Sequence, residues 1–219
     1  GMAVPLFALR SEEGMGVGEL PDLAALADIA ADAGLHAIQL LPIADTTVRG
    51  PGSSGSWVDS CPYSPIAVNS IHPMYLRLSG LPNLGDVQLR EIRTLMHQLN
   101  APPPDTGEGV GEWRLDYERV MGDKMVLLRR LYEASARPVL DSDAFSRFVE
   151  EAGWWLRPYA LFCVLRDSHG TADTQAWGDY ARLTVAQMDT LSRPGGAKYQ
   201  ACRFWYWIQV RRRRAPSAG

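Results

Sequence analysis

The first forty residues constrain the fold more than any other part of the chain, because they read as strand, helix and strand in immediate succession. Val4-Pro5-Leu6-Phe7-Ala8-Leu9 is an apolar run of strand length, and Gly14, Gly16 and Gly18 then break it into an expected flexible loop. Pro21 suits the first turn of a helix and Asp22 its positive end. Leu23, Leu26, Ala27, Ala30 and Ala33 recur at steps of three and four, and Gly34 is placed to end the helix. Ala37-Ile38-Gln39-Leu40-Leu41 follows as a mostly apolar strand closed by Pro42. Such a unit belongs to a parallel sheet, so the fold class is read as α/β.

From Thr46 to Leu84 the chain is rich in Gly, Ser and Pro and lacks the apolar spacing of a long helix, which predicts an elaborated loop. If the parallel unit belongs to a barrel, this loop leaves the carboxyl end of the second strand, the face where such barrels do their chemistry. The remainder predicts helices at 87–99, 116–135, 142–151, 155–166, 183–191 and 199–211. In the second of these, Tyr117, Met121, Met125, Leu128 and Tyr132 form one stripe down a single face, which is core packing. The proline- and glycine-rich stretch 101–109 reads as a surface connector.

Composition narrows the function classes. The 219 residues are 46% hydrophobic and 21% charged with a formal charge of −3, and four of the cations fall together at Arg211 to Arg214. A nucleic-acid partner normally leaves a basic footprint over a face rather than at one tip, so none is expected. Cys61, Cys163 and Cys202 are odd in number and share no metal-ligand spacing, which reads as reduced thiols in a reducing compartment and not as a metal site; no cofactor is expected. No apolar run approaches the about 18 residues needed to span a bilayer, and the amino terminus lacks a secretory pattern. A cytoplasmic protein without a membrane partner is the expectation.

Several short motifs occur in register. They include Val4-Pro5-Leu6-Phe7, Gly16-Val17-Gly18-Glu19, Gln39 to Thr46, Pro62-Tyr63 and His72-Pro73-Met74-Tyr75-Leu76. Later pieces are Trp155-Leu156-Arg157-Pro158-Tyr159-Ala160, Gln175-Ala176-Trp177 and Tyr206-Trp207-Ile208-Gln209. Together these resemble the amylomaltases, the 4-alpha-glucanotransferases of glycoside hydrolase family 77, with the plant and algal cytosolic disproportionating branch nearest. The resemblance implies the amino-terminal part of a (β/α)8 TIM barrel with a large helical insertion. It divides the chain into first barrel strands and substrate loop at 1–84 and a helical insertion subdomain at 85–210, while residues 211–219, which stand in place of the family's continuation, are expected to form a basic, disordered tail. It also implies a hexosyltransferase of starch, glycogen and maltose metabolism, with maltose and alpha-1,4-glucans as partners.

Retaining transfer needs two carboxyl groups about 5 Å apart, one attacking the anomeric carbon and one serving as acid and base. By resemblance the family's nucleophilic aspartate, acid/base glutamate and third aspartate lie beyond the position of Gln209, so no catalytic residue is assigned within this chain. A separate carboxy-terminal portion is then an expected partner, and the chain alone is expected to be inactive. Tyr63 is the leading substrate contact, because the family's loop sets this tyrosine against sugar. A phenol offers a ring both an apolar face and a hydroxyl. Cys61 stands where the family has Ser or Tyr, and a thiol is a weaker hydrogen-bond partner. Trp57 is a stacking candidate, and Asp59 and Asp45 are candidates for bonding sugar hydroxyls. His72 is read as structural. Phe204-Trp205-Tyr206-Trp207 is expected to be left partly bare, which keeps open an alternative reading as a non-catalytic alpha-glucan-binding or interaction protein.

Overall fold

A computed structural model describes residues 1–47, 61–101 and 115–210. Two short strands, β1 (Met2–Val4) and β2 (Ile38–Leu40), pair in parallel with Met2 opposite Ile38 and Val4 opposite Leu40. Helix α1 (Asp22–Asp32) connects them. The helix stops because Gly34, at φ +70°, takes the left-handed turn that lets Gly34 and Leu35 bond back to Ala31 and Ala30. The first strand is three residues long and sits earlier than the apolar run suggests. Leu6–Ala8 instead forms a 3-10 turn that drives Leu6 into the core, because Pro5 cannot donate to a sheet ladder.

Seven helices follow among the described residues: α2 (Asp86–Asn100), α3 (Tyr117–Ser135), α4 (Arg137–Leu140), α5 (Asp143–Glu151), α6 (Gly153–His169), α7 (Val185–Ser192) and α8 (Tyr199–Val210). Six of them match the apolar periodicities to within a few residues. The short α4 lacks a periodicity to read. Side chains cap several starts: Asp116 accepts from the Arg119 amide, Ser142 from Phe145 and Thr184 from Gln187. The architecture is mixed α/β with little strand, and one continuous hydrophobic core runs from Leu6 to Ile208.

The centre of that core is α8. Phe204, Trp205, Tyr206, Trp207 and Ile208 are all buried, because α3, α4, α5, α6 and α7 each pack against this helix. A helix apolar on every side is stable only when enclosed. The expectation that the 204–207 aromatics would be partly bare is therefore corrected: they are the middle of the molecule. Two cations pack among them, the Arg129 guanidinium 3.6 Å from the centre of the Phe204 ring and Arg166 5.1 Å from that of Trp205.

The glycine loop after β1 is likewise not a free linker. Residues 14 to 19 are all buried. A side chain at Gly18 would collide with the Leu6 carbonyl, and Gly16 sits at φ +69° against the backbone of Leu99. Asn100 fixes the loop from α2, its Oδ1 accepting from the Gly16 amide at 3.0 Å and its Nδ2 donating to the Gly14 carbonyl. Glycine here permits close packing rather than motion.

Candidate functional site

The chain leaves β2 through Pro42-Ile43-Ala44-Asp45-Thr46-Thr47, and residues 61–71 fold back over this segment. The Ser64 amide donates to the Cys61 carbonyl in a turn that presents Tyr63, while the Ile66 amide donates to the Asp45 carbonyl at 2.8 Å. The His72 amide reaches the Ile43 carbonyl at 3.0 Å. Between the two stretches lies an open groove of about 410 Å³ floored by Ile43, Ala44 and Ile71 and edged by Pro62, Tyr63 and Val68. Tyr63 is 67% exposed, so its ring and hydroxyl are available from solvent. An apolar floor beside an exposed phenol suits a ligand with one hydrophobic face and hydroxyls around its rim.

The sequence-derived candidates fall in three different places. Tyr63 and Cys61 lie together on the exposed turn, and Cys61 is a free thiol. Trp57 and Asp59 lie outside the described residues, as do Arg211 to Arg214. Asp45 is fully buried beneath the groove. Its Oδ1 accepts from the Thr47 amide at 2.9 Å and its Oδ2 from the Tyr159 hydroxyl at 2.7 Å. With both oxygens so occupied, Asp45 presents nothing to a ligand in this conformation.

His72 is buried too. Its Nδ1 accepts from the Met74 amide, which leaves Nε2 as the protonated nitrogen, 2.9 Å from the Tyr117 hydroxyl. The ring thereby joins the loop to α3, the structural part read for it in the sequence.

Three residues beneath the groove escaped sequence reasoning. Tyr159 on α6 bonds Asp45, Gln209 on α8 bonds the Ile71 backbone, and Arg166 on α6 donates to the Thr47 carbonyl at 2.7 Å. All three are buried. Burial pushes the Tyr159 phenol well above its ordinary range, and the neighbouring Asp45 charge adds to this. It is thus a proton donor at any ordinary pH. A polar residue set in an apolar helical run, as Gln209 is after Trp205-Tyr206-Trp207-Ile208, was the available signal, since such a group must find a partner inside.

The other buried carboxylates among the described residues, Glu19 and Asp22, are engaged by Lys124 and Arg77 away from the groove. Among the described residues no group of three His, Cys, Asp or Glu side chains is placed to hold a metal ion. No described helix is long and apolar enough to cross a membrane. The geometry can hold a small polyhydroxylated ligand. Two facing carboxylates that would break a glycosidic bond are not supplied by Asp45, Glu19 or Asp22, since each is tied up in the interior.

The 4-alpha-glucanotransferase family matches this sequence over residues 4–215. A rice protein named 4-alpha-glucanotransferase DPE2 is 37% identical over 95% of the chain, and the chain spans 20% of the length of that relative. The 4-alpha-glucanotransferase of Chlamydia pneumoniae is 29% identical over 76% of the chain, which corresponds to 28% of its own length. The crystal structure of amylomaltase from Corynebacterium glutamicum superposes with a TM-score of 0.61 at 22% identity, over 95% of this chain and 26% of that one. The likeness in fold therefore covers the described strands and helices together, and the chain spans a fifth to just over a quarter of these relatives.

Proposed function

The chain belongs to the 4-alpha-glucanotransferase family, and from that premise we propose that it forms the glucan-holding part of such an enzyme at the start of its barrel. In this reading β1 and β2 are the first two strands of a (β/α)8 barrel within the 1–84 portion. Residues 85–210 are the helical insertion that backs them. The Tyr63 turn leaves the carboxyl end of β2, the face from which barrel loops reach substrate. The carrying observation is the exposed Tyr63 phenol beside an apolar groove on that face. The substrate class is maltose and longer alpha-1,4-glucans, in keeping with what the relatives are named for.

Tyr63 would lay its ring against a pyranose face and offer its hydroxyl to a sugar oxygen, while Cys61 beside it contributes little hydrogen bonding. Trp57 and Asp59, in the same stretch of sequence, are proposed as further contacts. Asp45 is proposed as a support of the turn and not as a sugar ligand. Bond cleavage with retention requires a nucleophilic carboxylate and an acid/base carboxylate on opposite sides of the scissile bond. We assign neither to a residue of this chain.

Two expected results test the reading. Maltoheptaose should bind the purified chain in the millimolar range, which corresponds to only about −4 kcal/mol, as seen by amide shifts in a titration. Tyr63→Ala should weaken that binding about tenfold, in line with loss of one aromatic contact and its hydroxyl. His72→Ala should leave affinity close to unchanged but cost about 2–4 kcal/mol of stability, since it empties a buried hydrogen-bonded site. Shifts confined to the surface of α7, with the Tyr63 turn silent, would remove the site. In a second assay, the chain alone should move no glucose from maltose to glycogen. Glucose release by chain free of other enzymes would overturn the absence of a catalytic pair. The binding-protein alternative loses the aromatic platform on which it partly rested, because Phe204 to Trp207 are enclosed.

A further inference from the structure

Tyr63 is exposed, and so is Val68 in the turn that follows, while Ile66 and Ala67 between them are partly buried against the core. The hydrogen bonds beneath this segment converge on three buried polar side chains drawn from distant parts of the chain. We propose that Asp45, Tyr159 and Gln209 are positioning residues forming one buried bracket, through which α6 and α8 set where the Tyr63 phenol stands over the groove. The inference rests on the reading of Tyr63 as the glucan contact.

The bracket is closed at each atom. The Tyr159 hydroxyl donates to Asp45 Oδ2 at 2.7 Å and accepts from Gln209 Nε2 at 3.2 Å. The Gln209 amide also pairs with the Ile71 backbone as a neighbouring strand would, accepting from its N–H and donating to its carbonyl, both at 2.9 Å. Asp45 holds the other side. Its carbonyl receives the Ile66 amide, its own amide donates to Ser70 Oγ at 3.1 Å, and its Oδ1 receives Thr47. The segment carrying Tyr63 is therefore gripped at Ile66, Ser70 and Ile71 from below.

A phenylalanine at position 159 would fill the same space, so the hydroxyl is what joins aspartate to glutamine. Removing it leaves an acceptor and a donor buried without that partner, a cost confined to the bracket. A merely structural role would weaken the fold everywhere. A positioning role loosens the turn and lowers affinity together.

The test is Tyr159→Phe in the full chain, read by amide hydrogen exchange and by maltoheptaose titration. Exchange at Ile66, Ile71 and His72 is expected to quicken about tenfold while the buried α2 and α3 amides of Leu95 and Leu128 stay unchanged, the signature of local rather than global opening. Affinity for maltoheptaose should fall toward that of Tyr63→Ala, and the double variant should be little worse than either single one. Ser70→Ala, a milder lesion that spares the helices, should quicken exchange at Ile66 about threefold. Unchanged exchange at Ile66 and Ile71, or equal quickening at Leu95 and Leu128, overturns the bracket. A wild-type chain that takes no maltoheptaose overturns the glucan role of Tyr63, and the exchange measurement then decides the bracket by itself.

Discussion

Replacing Glu19 with alanine is expected to cost about 3–5 kcal/mol of folding stability, because it removes one member of a buried charge cluster and leaves the Lys124 ammonium without its counter-charge. Glu19 is wholly buried, and its two oxygens accept from Lys124 Nζ and from Arg77 Nε. Lys124 is equally buried and donates its remaining reach to the Met74 carbonyl at 2.7 Å. Burial pushes the Lys124 ammonium below its ordinary range against the pull of Glu19. Arg77 also bonds Asp22, Glu13 and Ser11, and therefore keeps partners when Glu19 is lost. Lys124 loses its counter-charge. Urea unfolding should show the loss, and Glu19→Ala combined with Lys124→Met should recover much of it, since an apolar side chain tolerates the site that a lone ammonium does not. A Glu19→Ala variant within about 1 kcal/mol of wild type would show that water reaches this cluster, for surface pairs carry only that much.

Raising the pH from 7 to 10 is expected to destabilise the wild type by about 3 kcal/mol more than a Cys163→Ala/Cys202→Ala variant, at about 1.4 kcal/mol per thiol and pH unit. Both thiols are buried. Burial pushes Cys202 from 9.0 up to about 12 and Cys163 well above 9.0. An acid whose folded pKa is raised holds its proton in the native state while the unfolded chain has already released it. The native state then binds more protons, and stability falls as pH rises. The contribution is whole below pH 9 and drains away above it. Tyr159 and Tyr206, both raised by burial, add the same trend above pH 10. Lys124, lowered by burial, acts in the opposite sense. All three are common to both proteins, and burial, the largest cause of each shift, is shared by them, so most of their contribution drops out of the comparison. Equal losses in the two proteins would sink the prediction.

Local regularity was legible in the sequence, and so was the family. Strand β2, helix α1 with its Gly34 stop, and the Tyr117 to Leu128 face of α3 follow from periodicity and from caps. Each of these is decided by residues within a few positions of one another. The structural part of His72 was also readable, and the Tyr63 turn was singled out from its motif. Only the tertiary structure decided which polar groups go inside. Glu19 meets Lys124 across 105 residues, Asp45 meets Tyr159 across 114, and Ile71 meets Gln209 across 138. A carboxylate on a loop reads as solvated until its partner is known, which is why Asp45 drew a sugar-binding reading. The same reason explains the glycines and the aromatics. Gly16 and Gly18 read as freedom, and Phe204 to Trp207 as an uncovered patch, because what presses on them comes from Leu99, Leu6 and five separate helices. Periodicity reports which face of an element is apolar, whereas burial depends on what the rest of the chain brings to that face.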